Sequence, residues 1–480
     1  MVSIKDKLSQ AMQEAKRLGA DYADIRLKDI RTESLSVENG VLSVAVTNRS
    51  QGYGIRVYVG GSMGFAASGD MDKFTETVQE AYATARASLT LQAQKAQLSA
   101  KEPATATYST PVVTDPFTVP LADKLALLTQ CYEKVKAVPG ISYSTLGLDF
   151  RKDDVFYADT DGSYINQNFC QCTGQINVLA RSDSDNQRRS YINVIRGGFE
   201  TILDLKMPEI TARLANEVVE LINAPECPSG EFDLVINPNQ LFLQIHESVG
   251  HPTELDRVLG SEAAFAGRSF LEPGDLAKPL IYGSEHVTLV ADATCEKGLG
   301  TFAYDDEGVP AQCITLVDKG KFTAFQTSRD NAPIIGQASS GGGLSDGWRN
   351  LPIVRMTNIN LLPGSGTPCE LIAGIEYGFL LDQNKSWSID DLRVNFQFAC
   401  EVAYEIKDGK LTGRKFKNPI YAGKTTEFWA SCDGVAGPEH WQLIGVPNCG
   451  KGQPMQMMRV SHGSAPARFR KVKVGVSDVK

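Results

Sequence analysis

Residues 244–257 read QIHESVGHPTELDR and bring two histidines and a glutamate close together in the chain. In the pattern H-E-x-x-H, two histidines one helical turn apart bind one zinc ion, and the glutamate serves as general base. Here the second histidine, His251, comes one residue later than that pattern requires after His246. On a regular α-helix, side chains four residues apart differ in direction by about 40°, whereas those five apart differ by about 140°. A regular helix through His251 therefore excludes a shared metal ion.

Two local distortions would restore a shared site. Gly250 readily leaves helical backbone angles, and Pro252 disfavours the α conformation at His251. His246 would then lie on the last helical turn, and His251 on a turn that folds back towards it. A π-bulge, which adds one residue to a helical turn, is the other solution. The alternative without a metal is that both histidines pack at the end of an apolar helix or cap its C-terminus.

A catalytic zinc ion usually has three protein ligands and an open position for water. The two histidines therefore need a third ligand, and the spacing alone does not choose it. Glu247, adjacent to a ligand, suits a general base that takes a proton from metal-bound water. Candidates for the third ligand are Glu254 and Asp256 nearby, and Cys449, His286 and His440 at a distance.

The motif is predicted to lie on a helix that directly follows a strand. The run FDLVI at 232–236 is typical of a strand. Asn237 and Pro238 predict a helix start, with a capping side chain and then proline in the first turn. Gly250 and Pro252 are expected to end the helix. Its buried face is predicted to consist of Leu241, Phe242, Ile245 and Val249.

Composition and charge narrow the class of protein. The chain has 480 residues, a net charge of −9 and a pI near 5.3, so no general attraction to nucleic acid or to an anionic membrane is expected. No run approaches the roughly 18 apolar residues that would span a bilayer, and no signal peptide is recognisable. The ten cysteines are scattered, as in proteins with reduced thiols. We therefore expect a cytoplasmic protein that binds neither nucleic acid nor membranes directly.

The length predicts two or three domains. Residues 1–100 read as a helix, several strands and a second helix, and the same order recurs in residues 101–226, which suggests a duplication. Residues 227–480 read as mostly strands, apart from the helix of the histidine motif. We predict an α+β fold with these three domains: an N-terminal α+β domain, a central α+β domain, and a β-rich domain that carries the candidate site.

The wider sequence resembles the TldD/PmbA family, also named modulators of DNA gyrase. The matching segments are HESVGHPTELDR, TFAYDDEGVPAQ, RMTNINLLPG and NCGKGQP, together with the N-terminal run ADYADIRLKDIRTESLSVENG. The resemblance spans nearly the whole chain, and its most specific elements are H-E-x-x-x-H and C-G-K. One departure is that Lys451 and Gly452 are contiguous here, whereas the family pattern is expected to place a residue between them.

The resemblance implies a function and a set of site residues. TldD-like members are metalloproteases that cleave peptides, including leader peptides and unfolded proteins. By this resemblance His246, His251 and Cys449 are the metal ligands, and Glu247 is the general base. One divalent metal ion is implied, zinc in the first place with iron as the alternative. The implied partners are an unfolded or extended peptide, and either a second copy or a PmbA/TldE-like paralogue that lacks the metal motif, in a homodimer or a heterodimer.

Other signals in the sequence are weaker. Residues 343–347 match the nucleophile-elbow pattern G-x-S-x-G but lack its flanking strand and helix, which argues against a serine hydrolase. The glycine-rich segment 339–347 is predicted to be a mobile surface loop. A second hypothesis makes this loop a flap over the substrate, with Trp348 and Arg349 near the peptide. The acidic cluster at 305–308 is predicted to be a solvated turn, with a site for a hard cation or a supporting role behind the metal ligands as alternatives.

The main alternative function is a non-catalytic interaction or regulatory subunit of the DNA gyrase modulator type, within a heteromeric complex. A silent subunit is expected to have lost the histidines, whereas this chain keeps both His246 and His251. The sequence therefore favours a metal-dependent peptidase in which Glu247 activates a metal-bound water to hydrolyse unfolded or extended peptides.

Overall fold

The computed structural model describes residues 3–91, 95–278 and 280–475. Its α-helices are α1 (Ile4–Leu18), α2 (Phe74–Ser88), α3 (Leu121–Lys136), α4 (Glu200–Asp204), α5 (Met207–Ile222), α6 (Pro238–Ile245), α7 (Leu255–Val258), α8 (Pro368–Ala373) and α9 (Thr425–Ala430). Its β-strands are β1 (Tyr22–Glu38), β2 (Val41–Val59), β3 (Ser62–Ser68), β4 (Thr105–Ser109), β5 (Ile141–Asp159), β6 (Tyr164–Arg181), β7 (Asn186–Arg196), β8 (Gly230–Ile236), β9 (Leu289–Asp292), β10 (Cys313–Asp318), β11 (Lys321–Phe322), β12 (Gly343–Leu344), β13 (Ile353–Val354), β14 (Ile359–Leu361), β15 (Tyr377–Ile389), β16 (Asn395–Lys407), β17 (Lys410–Lys417), β18 (Ile420–Lys424), β19 (Cys432–Val435), β20 (Gln442–Lys451), β21 (Gln456–Ser464) and β22 (Ala467–Val474). The fold is α+β, with more strand than helix and a β-rich C-terminal part.

A seven-stranded sheet supports the N-terminal part of the described chain. Its order is β3-β2-β1-β5-β6-β4, and β7 pairs with the remaining length of β6. The pairing is antiparallel except between β4 and β6. β1 pairs with β5 from the Asp24–Asp159 pair to the Glu38–Thr145 pair. The sheet therefore runs without a break across the predicted domain boundary at residue 100.

The helices of the N-terminal part belong to two separate apolar cores. One core joins α1 and α2 to the β1–β3 end of the sheet, through Leu8, Ala11, Ile25, Ile55, Val78 and Ala81 among others. The other joins α3 and α5 to β5 and β6, through Leu128, Val135, Leu146, Ile176, Leu214 and Val218 among others. Since the cores are separate but the sheet is continuous, the boundary at residue 100 and the duplication stay predictions.

A second seven-stranded sheet organises the C-terminal part. Its order is β15-β8-β22-β18-β16-β17, with β19 on β22, and β15 also pairs with β16. The strands β15, β8, β22, β18 and β16 thus form a closed ring, in which only β8 and β15 run parallel. The core beside this ring is rich in aromatic side chains: Phe379, Phe396, Phe398, Tyr421, Phe428, Trp429 and Phe469. Helix α6 follows β8 directly and packs against β15 and β21.

Smaller elements complete the C-terminal part. The described strands include a four-stranded sheet, β11-β10-β9-β14, and the two pairs β12-β13 and β20-β21. The expectation of a single helix in this part is wrong, since α7, α8 and α9 also occur. These helices have four to six residues and are too short to display a helical period in the sequence. No described helix has the length and apolar character needed to cross a membrane.

The glycine-rich segment 339–347 is not a surface loop. Two of its residues form β12, which pairs with β13, and residues 341–345 are buried. A Cβ atom on Gly343 would lie 2.4 Å from a carboxylate oxygen of Glu307, so only glycine allows this close approach. The glycines serve packing here, whereas the sequence pattern alone predicted exposure.

The acidic run 305–307 is also buried and is not a solvated turn. Lys28 Nζ on β1 lies 2.7 Å from Asp306 Oδ2, and Arg56 on β2 lies 2.7 Å from Glu307 Oε1. Lys28 is the main group that lowers the pKa of Asp306 against the effect of burial. These ion pairs attach the C-terminal part to the first sheet.

Arg189 on β7 makes a second attachment between the two parts. Its buried guanidinium lies within 3.0 Å of carboxylate oxygens on α5, β15 and β16, which belong to Glu217, Asp382 and Glu401. Burial alone would lower the pKa of Arg189, but Asp382 and Glu401 raise it well above its usual value. The cation therefore holds three carboxylates that would otherwise repel one another.

Replacing Arg189 with leucine should destabilise the chain, because Asp382 would stay buried without a cation and Glu401 would keep only Arg188. Removing one partner of a buried ion pair costs roughly 3–5 kcal/mol. Arg213→Leu is the matched control, since Arg213 also contacts Glu217, at 3.2 Å, but its side chain is 47% exposed. An exposed pair contributes about 0–1 kcal/mol. Urea unfolding followed by tryptophan fluorescence compares the variants, and equal losses would contradict the role given to Arg189.

Candidate metal centre

The helix of the histidine motif begins where the sequence predicted it. Asn237 has extended backbone angles, and Pro238 occupies the first turn of α6. The Asn237 side chain does not cap the helix and instead donates to Asp382 at 3.3 Å. Of the predicted buried face, Leu241, Ile245 and Val249 are fully buried, whereas Phe242 lines a cavity.

A π-helical turn, His246–Gly250, follows α6 and solves the spacing problem. The backbone N–H of His251 donates to the carbonyl of His246, five residues earlier, and a 3₁₀ turn, His251–Thr253, comes next. The imidazole ring centroids of His246 and His251 are 4.8 Å apart. The expected break at Gly250 is wrong, because Gly250 and His251 both keep helical angles. The predicted alternative, a π-bulge, is what the chain adopts.

Gly250 matters for packing and not for its backbone angles. Its φ is −57°, which any residue can adopt. A Cβ atom at this position would lie 2.2 Å from Met356 Sδ, far inside van der Waals contact. Met356 is fully buried, so it cannot swing into solvent. The π turn is therefore pressed against the chain just before β14.

Cys449 lies beside the two histidines. It comes from β20, at a point where the register with β21 shifts between Val446 and Cys449. Its Sγ is 3.7 Å from His251 Nε2, and one donor atom each of His246, His251 and Cys449 fit within 4.8 Å of one another. All three side chains are buried, with relative exposures of 4%, 4% and 2%. The structure thus brings together the three residues that the sequence analysis named as ligands.

The donor set fits a single divalent metal ion. Tetrahedral zinc with its usual bond lengths separates nitrogen and sulfur donors by roughly 3.4–3.6 Å, close to the observed Cys449–His251 distance. Glu254 lies on the other side of His251, with its Oε2 2.8 Å from Nδ1. Among the other candidates, Asp256 pairs with Lys451 at 2.6 Å, and His286 and His440 lie at the surface outside the cluster. The geometry favours Cys449 over Glu254 as the third donor.

Burial and the surrounding charges together favour, for each donor, the protonation form that binds a metal. Burial lowers the pKa of both His246 and His251, which favours the neutral imidazole. Burial alone would raise the pKa of the Cys449 thiol, but Arg355 and His251 hold it below its usual value. Burial would likewise raise the pKa of Glu254, but Lys451 and His251 lower it strongly. The direction of each shift at His246, His251 and Cys449 favours the deprotonated form, which is the form that binds a metal.

A cavity of about 620 Å³ opens at this cluster. His246, Glu247, His251 and Cys449 lie on its wall, next to apolar side chains that include Phe242, Leu243, Trp387, Ile389 and Val446. Glu247 Oε2 accepts a hydrogen bond from Arg393 Nη1 at 2.6 Å. No sequence pattern predicted Arg393, Trp387 or the buried His462, which lies against His246. They are distant in sequence and carry no local motif.

Family models match the chain over three consecutive segments. Residues 23–89 match PmbA/TldA metallopeptidase domain 1, residues 114–224 match the PmbA/TldA metallopeptidase central domain, and residues 229–476 match the PmbA/TldA metallopeptidase C-terminal domain. The third match covers half of the chain and contains the whole cluster. The chain belongs to the PmbA/TldD family. The family predicted from the C-terminal and N-terminal sequence segments is thereby confirmed.

Relatives of this PmbA/TldD chain are named metalloproteases. A metalloprotease from Methanothermobacter thermautotrophicus is 30% identical over 455 residues. The match covers 95% of this chain and 95% of the relative. A zinc metalloprotease TldD homologue from Saccharolobus solfataricus is 22% identical, over 97% of this chain and 98% of its own length. The crystal structure of TldE from Thermococcus kodakarensis has a TM-score of 0.77 at 18% identity, over 98% of this chain and 100% of its own. The likeness to TldE concerns the fold.

Trp348 and Arg349 do not join the cluster in this PmbA/TldD chain. They line a different cavity, together with residues of β1 and β2 such as Ile30 and Asn48. Trp348 donates from its indole nitrogen to Ser50 at 3.1 Å, and the Arg349 guanidinium lies 4.6 Å from the Trp348 ring centroid. The tryptophan in the cavity of Glu247 is Trp387. Substrate contact by Trp348 and Arg349 stays a prediction.

Gly250→Ala should destabilise this PmbA/TldD chain, since the added methyl group overlaps Met356 in a filled core. Such overpacking typically costs about 1–3 kcal/mol. Met356→Ala empties the same space and costs about 2–5 kcal/mol on its own. The double variant should lose less than the sum of the single losses, because the methyl group then occupies part of the cavity. Urea unfolding of all four proteins measures this coupling, and strictly additive losses would contradict the packing role of Gly250.

Proposed function

We propose that this chain is a metal-dependent peptidase that hydrolyses unfolded or extended peptides. The observation that carries the proposal is the convergence of His246, His251 and Cys449 on the wall of a cavity beside Glu247. Two imidazoles and a thiolate supply three protein ligands and leave a fourth position open, which is the general pattern of a catalytic zinc site. The zinc metalloprotease among the relatives supports zinc, with iron as the alternative.

Each residue of the site has a distinct role in the proposed reaction. His246, His251 and Cys449 would hold the ion, which when bound polarises the scissile carbonyl and acidifies water. Glu247 takes the proton from the attacking water and delivers it to the leaving amine. Arg393, 2.6 Å from Glu247, holds the carboxylate against the cavity wall.

The shape of the site favours an extended peptide. β20, which carries Cys449, pairs only with β21 among the described strands, and its residues 445–450 line the cavity. An extended peptide exposes its backbone groups to hydrogen bonds with the walls of such a cavity, and these bonds select little for sequence. A folded substrate would not present its backbone in this way. We therefore propose unfolded chains as the substrate class, bound in the cavity beside β20.

A partner subunit is part of the proposal. The fold shared with TldE supports assembly with a TldE-type paralogue, and a homodimer is the other arrangement. The non-catalytic regulatory role becomes the better explanation only when the site binds no metal. Metal content therefore decides between the two functions.

Protein purified without added metal should contain about one zinc or iron ion per chain, as measured by elemental analysis. His246→Ala and Cys449→Ala should both lose this ion, because each removes one of three donors. His286→Ala and Cys369→Ala are matched controls, since both residues are exposed, and these variants should keep it. Loss with His246→Ala alone would point to Glu254 as third ligand. An apo wild type that also takes up no added zinc would overturn the peptidase proposal.

Glu247→Gln should keep the metal ion but lower peptide hydrolysis by about 100- to 10,000-fold, because the amide cannot accept a proton. Glu439→Gln is the control, as this exposed residue lies in the turn before β20. A fluorogenic library of extended peptides, assayed with and without a TldE-type paralogue, gives the rate. Full activity of Glu247→Gln with bound metal would remove Glu247 from the mechanism.

A further inference from the structure

His462 is a third buried histidine in contact with the cluster. It lies on β21 and has no exposed surface. Its Nε2 is 2.7 Å from Nδ1 of His246, and its Nδ1 is 3.1 Å from the carbonyl oxygen of Ile359. The His246 and His462 ring centroids are 4.9 Å apart, in an edge-to-face arrangement. Both nitrogens of His462 therefore have partners, and His462 does not belong to the group of donor atoms formed by His246, His251 and Cys449.

The hydrogen-bond chain determines where the protons lie. The Ile359 carbonyl can only accept, so Nδ1 of His462 carries a hydrogen. The neutral imidazole of His462 then has an unprotonated Nε2, which must accept from His246 Nδ1–H. His246 in turn has its lone pair on Nε2, the nitrogen free to face His251 and Cys449. A second proton on His462 would place a positive charge on a ring with no exposed surface, and no carboxylate accepts a hydrogen bond from either of its nitrogens.

We propose that His462 is a positioning residue that fixes the tautomer and the ring orientation of His246 for the metal. The inference rests on the proposed metal site, since it assigns a task to a side chain behind one of its ligands. Metal-bound histidines generally donate their other ring N–H to a fixed acceptor, and losing that acceptor typically weakens metal binding by 10- to 100-fold. Usually the acceptor is a carboxylate, carbonyl or water, whereas here it is an imidazole.

The two histidine ligands are thus held in different ways. His251 donates to the carboxylate of Glu254, whose charge is balanced by Lys451 at 3.4 Å. Around His246 the facing charged groups are Glu247, Glu254, Arg355 and Arg393, and Glu247 and Arg393 already pair with each other. A further carboxylate at position 462 would be buried without a cation of its own, which is costly. A neutral imidazole accepts the same hydrogen bond without adding a charge.

The tautomer can be measured on the metal-free full chain, independently of any metal. The sequence has five histidines, so ¹⁵N-histidine labelling and long-range ¹H–¹⁵N correlation spectra give five ring systems, with His246→Ala identifying that of His246. We expect the Nδ1–H form of His246 in the wild type and loss of that preference in His462→Leu. The Nε2–H form in the wild type would overturn the proposal.

Metal affinity supplies the second readout. Competition of Zn²⁺ or Co²⁺ with a chromophoric chelator should show 10- to 100-fold weaker binding for His462→Leu, which fills the space but accepts no hydrogen bond. His462→Gln keeps an amide oxygen as acceptor and should recover most of the affinity. Ser464→Ala is the matched control, since Ser464 is buried on the same strand two residues away and its hydroxyl has no hydrogen-bond partner in the described part of the chain.

Metal affinity and unfolding temperature together distinguish a wrong role for His462 from a wrong metal site. Wild-type affinity in a folded His462→Leu would overturn the role of His462 and leave the metal site intact. Equal losses in His462→Leu, His462→Gln and Ser464→Ala, with a lower unfolding temperature of the metal-free proteins, would mark a packing role and overturn it too. A wild type that binds neither Zn²⁺ nor Co²⁺ would overturn the metal site itself, and the positioning role with it.

Discussion

A single backbone hydrogen bond, from the N–H of His251 to the carbonyl of His246, decides whether the two imidazoles face each other. π turns are rare because their hydrogen-bond geometry is less favourable, so their surroundings must stabilise them. Here Ser248, inside the turn, bonds with its hydroxyl to the Gln244 carbonyl and accepts from the Trp429 indole at 2.9 Å. Its own carbonyl accepts from the Tyr282 hydroxyl. Helix α6, helix α9 and the chain at Tyr282 therefore hold one distorted turn, the last two from distant parts of the sequence.

The buried charges behind the cluster are arranged in near-neutral pairs. The pKa of Cys449 is held low mainly by Arg355, whose guanidinium also donates to the Cys449 carbonyl at 2.6 Å. Glu254 is matched by Lys451, and Glu247 by Arg393. An unpaired charge at such depth would cost several kcal/mol, so each anion needs its own cation. The donor atoms of His246, His251 and Cys449 therefore lie close to one another, and the charged groups that surround them are already paired.

How much the sequence could predict depended on whether the relevant contact was local. The strand at 232–236, the helix start at Pro238 and the pairing of two histidines with Glu247 follow from residues within one short stretch, and the structure has these elements. Cys449 lies 198 residues from His251, so spacing left it among several candidates and only the family resemblance selected it. The burial of segment 339–347 could not be foreseen, because a glycine that admits a close neighbour looks the same as one in a free loop.

Arg393 shows how the closed sheet and the candidate chemistry are linked. It lies in the turn between β15 and β16, the pair that closes the ring of strands, with a positive φ of 65°. Asp390 holds this turn through the N–H groups of Val394 and Asn395, and Thr425 donates to the Arg393 carbonyl at 2.6 Å. An arginine in a flexible loop would extend into solvent. Here the hydrogen bonds at both ends of the turn keep the Arg393 side chain beside Glu247. A shift in the register of β15 and β16 would move the guanidinium away from that carboxylate, so closing the ring also positions the proposed base.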